Sequence, residues 1–216
     1  MAVQFSERLQ GQIDDFAERI FTDPLQIVDP EGVYHHEFVS KNHGYKVDFD
    51  VAPDDSDFFL EWMGVYSRAI REVYAGRMPD AVVGIANGAN RIARVTGAML
   101  GVTALETEKV DKKTVRLTPE ARETIQGEGT FFALTVEDVG STGGTTVTAV
   151  DDLREAGVRR IESVNGLQRN LILPALVEAR VPHWAVIERE LGMFSAADCA
   201  VSGLCAQGVP LIPHGQ

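Results

Sequence analysis

The segment Phe131-Phe-Ala-Leu-Thr-Val-Glu-Asp-Val-Gly-Ser-Thr-Gly-Gly-Thr-Thr146 constrains the fold more than any other part of the chain. Residues 131–136 are aromatic, apolar and β-branched, the composition of a buried strand, and Val147, Val150 and Leu153 follow at helical spacing. The Gly/Ser/Thr turn between strand and helix therefore sits at the carboxyl edge of a sheet. There a helix N-terminus presents unpaired N–H groups and the positive end of its dipole, and Gly143 and Gly144 remove the side chains that would block a phosphate. Glu137 and Asp138 would repel that phosphate, so they need a different partner. A ligand that carries adjacent hydroxyls beside its phosphate supplies one, which describes a ribose 5-phosphate. The plainer alternative is a capped strand-to-helix turn with solvated acids. Neither the G-x-x-x-x-G-K-[ST] nor the G-x-G-x-x-G nucleotide pattern fits this turn.

A second unit of the same kind precedes it. Ala81-Val-Val-Gly-Ile85 reads as a central strand, Ala86-Asn-Gly-Ala-Asn90 as a small turn, and 91–100 as a helix. Two strand-turn-helix units in series suit a ligand with phosphate groups at both ends. Arg91, the first residue of this helix, either adds charge toward that ligand or faces solvent. Between the units lie a strand over 102–107 and the long polar stretch Glu108–Arg122, followed by a Gly127–Gly129 hinge. Lys109, Lys112, Lys113 and Arg116 make this the densest basic cluster in a chain of net charge −12 (20 basic against 32 acidic residues). It reads as a lid over an anionic site or as a solvated loop.

The remaining elements complete an α/β pattern. Phe5, Leu9, Ile13, Phe16 and Ile20 mark an amphipathic helix, and short strands over 25–28, 33–39 and 45–49 suggest a flap carrying His35, His36, His43, Lys41 and Lys46. A long helix runs from Asp54 to Ala75, capped near 54–56; a strand covers 161–165, a turn 166–170, a helix 171–180 and a last strand 184–187. The expected fold is a parallel sheet flanked by helices on both faces, with a small N-terminal hood. One domain over 1–216 suffices, divided roughly into hood 1–52, core 53–190 and tail 191–216. The acidic balance argues against nucleic acid and anionic membrane as partners, and no apolar run or leader pattern is evident, so a cytoplasmic location is expected.

Val136-Glu-Asp-Val-Gly-Ser-Thr-Gly-Gly-Thr-Thr146 resembles the phosphoribosyl pyrophosphate (PRPP) signature of the type I phosphoribosyltransferases. The resemblance implies Mg²⁺-dependent transfer of phosphoribosyl from PRPP to a nitrogenous base, with Mg²⁺ held mainly by PRPP and no protein metal ligand singled out. It further implies a PRPP site of Glu137, Asp138, Val139, Gly140, Ser141, Thr142, Gly143, Gly144 and Thr145, the two acids holding ribose hydroxyls. Pyrophosphate falls to Ala86, Asn87 and Gly88 with Lys109, Lys112 and Lys113, and the catalytic set is Lys109, Lys112 and Asp138. A homodimer, with the lid acting across the interface, is also implied.

Interrupted motifs resemble the orotate branch in particular. Phe38-Val-Ser-Lys-Asn-His-Gly-Tyr-Lys-Val-Asp-Phe49 resembles the orotate hood segment, Lys109-Val-Asp-Lys112 its K-x-x-K loop, and Arg169 the arginine of a D-R-Q/E phrase. Orotate is thus the favoured base, contacted by Lys41, Ser141 and Arg169. Glu108 stands where the loop arginine is expected and no histidine follows, which leaves open transfer to a different base, or a PRPP- or nucleotide-sensing regulatory protein. The tail Asp198–Gly215 resembles the C-P-x-C-x-x-G-x-P tail of some orotate enzymes with wider cysteine spacing. Cys199 and Cys205 find only His214 nearby as a further ligand, and a zinc site needs about four, so a packed tail is expected.

Overall fold

The computed structural model describes residues 3–22, 27–29, 31–38, 41–49, 52–53, 56–111, 113–128, 131–170 and 172–214, with the side chains of Asn87 and Glu128 also left out. Its core is a five-stranded parallel sheet in the order β4-β3-β7-β8-β9, where β3 is Ala81–Gly84, β4 Thr103–Leu105, β7 Phe132–Gly140, β8 Arg160–Gln168 and β9 His183–Glu188. The central strands bury both faces, so they read as unbroken apolar runs. Their connections are α3 (Ala86–Leu100), α5 (Gly144–Glu155) and the short α6 (Pro174–Glu178).

Chain direction across the sheet reverses between β3 and β7. From β3 the chain moves outward through α3 to β4, whereas from β7 it moves the other way through α5 to β8 and β9. A parallel sheet leaves a crevice at such a reversal, beyond the carboxyl ends of the strands. Both of the turns singled out in the sequence, the one opening α3 and the one opening α5, border it.

One side of the sheet is covered by α1 (Glu7–Thr22) and α2 (Asp57–Val73). Ser56 caps α2, its Oγ accepting from the Phe59 N–H at 3.2 Å, while Asp54 lies outside the described residues. Trp62 stacks between Phe16 and Phe49, with ring centroids 4.9 and 5.6 Å away, and pins both helices to the sheet. Arg91 takes neither of its expected roles. Its guanidinium donates to the carbonyls of Phe49 (2.6 Å) and Ala52 (3.0 Å) and lies over the Phe59 ring, so it splices the N-terminal segment to α2 and α3.

The stretch expected as a polar lid is built structure. Strands β5 (Thr107–Lys109) and β6 (Val115–Leu117) form an antiparallel hairpin, and α4 (Pro119–Glu128) follows, reaching into the expected hinge, of which Gly129 lies outside the described residues. Alternate residues explain it: Val115 and Leu117 are buried and Arg116 is exposed. The Leu117 N–H donates to Asp152 Oδ2 at 2.8 Å and Arg122 pairs with the same carboxylate, so the hairpin base is fastened to α5.

The hood is a separate four-stranded sheet in the order β10-β2-β1-β11, with β1 His35–Glu37, β2 Asn42–Gly44, β10 Met193–Ser195 and β11 Leu211–Ile212. Two of its strands come from the tail, which is therefore part of the hood. Conversely α1, grouped with the hood from its position in the chain, belongs to the core packing. Of the strand expected over 25–28, residues 25 and 26 lie outside the described residues, and Val28 bridges Val47.

Candidate active site

At the β3/β7 reversal lies a cleft of about 330 Å³, lined by Ile85, Ala86, Gly88, Ala89, Lys109, Asp111, Lys113, Val115, Glu137, Asp138 and Thr145. Three stretches far apart in the chain thus meet where the strand pattern alone predicted a ligand. Lys109 and Lys113 are both exposed on the hairpin above it; Lys112, between them, lies outside the described residues.

The floor of the cleft is the end of β7. Glu137 is held by Thr146 Oγ1, which donates to its Oε2 at 2.8 Å. Burial first, and the neighbouring Asp138 carboxylate second, push the Glu137 carboxyl up to about 8, against the partial relief of the Thr146 hydrogen bond. A carboxyl in this state is poised to ionise when a ligand supplies hydroxyl donors. Asp138 Oδ1 accepts from the Val139 N–H at 2.8 Å.

Beyond β7 the turn is shaped by its glycines. Gly143 has a left-handed φ of +78°, and a Cβ there would meet Leu176 Cγ at 2.7 Å. No side chain caps α5, whose first residue Gly144 is exposed and whose Thr145 lines the cleft, so the helix start meets the cleft with N–H groups that an anion could take. Asn170 Nδ2 donates to the Ser141 carbonyl at 2.7 Å, and the Ala175 N–H to that of Thr142 at 3.2 Å, holding the loop from its other side.

Opposite, α3 also begins without a side-chain cap, and Ala86 is left-handed at φ +50°, a strained state for an alanine. The strain is held by a residue not singled out in the sequence. Thr107, 1% exposed, accepts the Ala86 N–H on its hydroxyl (2.7 Å) and donates that hydroxyl to the Gly84 carbonyl (2.7 Å). Asn90 exchanges side-chain hydrogen bonds with the Thr107 backbone at 2.8 and 3.2 Å. The signal available in the sequence was only a polar residue at the end of a strand. The side chain of Asn87 lies outside the described residues.

The expected base contacts stand apart from the cleft lining. Lys41 sits exposed at the β1–β2 turn, left-handed at φ +63°, and pairs with Glu37 at 3.1 Å. Arg169 is 3% exposed beneath the hood, donates through Nη2 to the Tyr45 carbonyl at 2.6 Å and lies over the Phe38 ring. Its Nε is buried without a partner, as are both amide atoms of Asn165 and Oε1 of Gln168 at the same end of β8. Burial lowers the Arg169 pKa to about 10, which still leaves it charged near neutrality.

Comparison with solved structures decides the architecture. An orotate phosphoribosyltransferase from Aeropyrum pernix superposes with a TM-score of 0.62 at 15% identity, covering 80% of this chain and 93% of that one. The fold is that of the type I phosphoribosyltransferases. A phosphoribosyltransferase from Corynebacterium diphtheriae gives a TM-score of 0.59 at 20% identity over 82% of this chain and 96% of its own. In sequence, a curated orotate phosphoribosyltransferase from Caldanaerobacter subterraneus subsp. tengcongensis is 27% identical over 151 residues, 70% of this chain and 74% of that protein. No protein-family model matches the chain. None of the described helices is long and apolar enough to cross a membrane.

Proposed function

We propose that this protein transfers phosphoribosyl from PRPP to a nitrogenous base, with orotate as the favoured base. The observation that carries the reading is the convergence, at one strand reversal, of two helix N-termini, a paired carboxylate floor and a basic hairpin. Each part matches one part of PRPP. The turn Ser141–Thr145 takes the 5-phosphate, Glu137 and Asp138 accept hydrogen bonds from the ribose hydroxyls, and Ala86–Gly88 takes the pyrophosphate.

As the bond from the anomeric carbon to pyrophosphate breaks, positive charge grows on the ribose ring and negative charge on the departing oxygens. The carboxylate pair faces the first, and Lys109, Lys112 and Lys113 face the second. The base nitrogen attacks from the opposite face, with inversion. Asp111 and Asp138 in the lining are hard oxygen donors of the kind Mg²⁺ accepts, and the ion, held mainly by PRPP, would neutralise charge on the pyrophosphate.

The base is placed under the hood, where Arg169 offers an unpartnered Nε of a planar fork suited to a carboxylate. Ser141 borders that region, and Lys41 completes the set from the hairpin tip. We take the working form as a cytoplasmic homodimer.

Pyrophosphate release from PRPP and Mg²⁺, measured against a panel of bases, tests the proposal. Release with orotate is the expected result, and release with another base alone reassigns the base. Tight PRPP binding without release for any base would leave a PRPP-sensing regulator. Glu137→Ala combined with Asp138→Ala should abolish PRPP binding, and retained affinity would dismiss the assignment of the floor.

A further inference from the structure

The hood is too small to hold itself together by apolar burial. Its strands are three, three, three and two residues long, and its buried core is Tyr45, Cys199 and Leu204, edged by Phe194, Cys205 and Val209. Domains of this size are ordinarily stapled by a disulfide or a metal. In the middle of that core four side chains point at one another: His35 of β1, His43 of β2, Cys199 of α7 (Ala196–Val201) and Cys205 in the turn after it.

Their ligand atoms all lie within 4.8 Å of one another. Cys199 Sγ is 3.7 Å from His35 Nε2, and Cys205 Sγ is 3.4 Å from both His35 Nε2 and His43 Nδ1. A tetrahedral zinc ion with Zn–N about 2.0–2.1 Å and Zn–S about 2.3 Å sets nitrogen-to-sulfur edges of roughly 3.5–3.6 Å. The three observed edges bracket that value. His35 and Cys199 are fully buried, His43 is 7% exposed and Cys205 is partly exposed, and the four protein donors suffice to fill a tetrahedral site with no position left for substrate. The Cys205 N–H donates to Cys199 Sγ at 3.2 Å, the contact an anionic sulfur attracts.

Charge supports the same occupant. Two thiolates and two neutral imidazoles around a divalent ion sum to zero, which a buried site tolerates, and the two thiol protons are released to solvent on binding.

We propose that His35, His43, Cys199 and Cys205 bind a structural zinc ion that fastens the tail to the N-terminal hood strands. The expected result is one equivalent of zinc per chain, measured by elemental analysis on protein prepared without a histidine tag or chelator. Replacement by Co²⁺ should give intense visible bands of tetrahedral cobalt and a near-ultraviolet thiolate band. Both thiols should resist a thiol reagent until the metal is removed, and removal should lower the melting temperature. Cys205→Ser and His43→Gln should lose the metal, whereas His214→Ala should keep it. If a variant fails to fold, the cobalt spectrum and thiol protection of the unaltered protein still decide. Metal-free protein with two freely reactive thiols, a Cys199–Cys205 disulfide, or the weak spectrum of octahedral cobalt would each overturn the proposal.

Discussion

Glu137→Gln offers the sharpest test of the carboxylate floor, because the wild-type group titrates where binding is measured. With a pKa pushed up to about 8, Glu137 is ionised in about one molecule in ten at pH 7 and in about nine of ten at pH 9. Only the ionised form accepts hydrogen bonds from both ribose hydroxyls, so PRPP affinity should rise about tenfold over that interval, about 1.4 kcal/mol. The sign for the ligand-free protein is opposite. A carboxyl raised above its unfolded value of 4.5 stabilises the fold below that value, and the contribution is lost as pH rises through about 8. Titration calorimetry with PRPP from pH 7 to 9 at fixed ionic strength reads the first effect, and thermal melting without ligand reads the second. Glu137→Gln should flatten the affinity profile near its low-pH level and remove the loss of stability. An unchanged slope in the variant, or a flat profile in the wild type, would refute the assignment.

Lys112→Ala should lower turnover about a hundredfold while PRPP affinity stays within about threefold, since the hairpin acts on charge that develops only as pyrophosphate leaves; equal turnover in a stopped-flow assay would remove the lid from the mechanism. Gly143→Ala should cost about 1–2 kcal/mol for the left-handed backbone alone, before Leu176 is displaced, and lower the melting temperature by roughly 2–8 °C. Wild-type stability there would mean that the turn relaxes freely. Arg169→Lys should raise the KM for orotate about tenfold with PRPP affinity little altered, because an ammonium cannot reproduce the fork that meets a carboxylate; a KM that does not move would confine Arg169 to tying down the hood.

Much of the core was legible because its signals are local. The run Phe131–Val136, the acids at 137 and 138 and the glycines at 143 and 144 each carry their own meaning, and the sheet places them as their order implies. Thr107 was not legible, since a threonine ending a strand is ordinary until Ala86 and Gly84 are seen at either end of its hydroxyl. The hairpin β5–β6 was hidden by charge: its exposed residues fill the stretch with polar side chains, and two buried positions, Val115 and Leu117, are too few to set a period. Arg91 was not legible because its partners, the carbonyls of Phe49 and Ala52, are brought within its reach only by the fold. The burial of Arg169 beneath the hood was hidden for the same reason, since the Tyr45 carbonyl it meets lies far away in the chain.

The hood sheet has a consequence for the order of events in synthesis. Strand β1 pairs with β11, His35 opposite Leu211, so the hood closes between two stretches far apart in the chain. The parallel sheet and both strand-to-helix turns are complete by residue 188, and they can fold before β10 and β11 have been made. The base end must wait. A chain lacking β10 and β11 would therefore hold a finished cleft under an unfinished roof, open to water on the side that the hood covers. The long-range closure that delays the hood also couples its assembly to the arrival of β10 and β11.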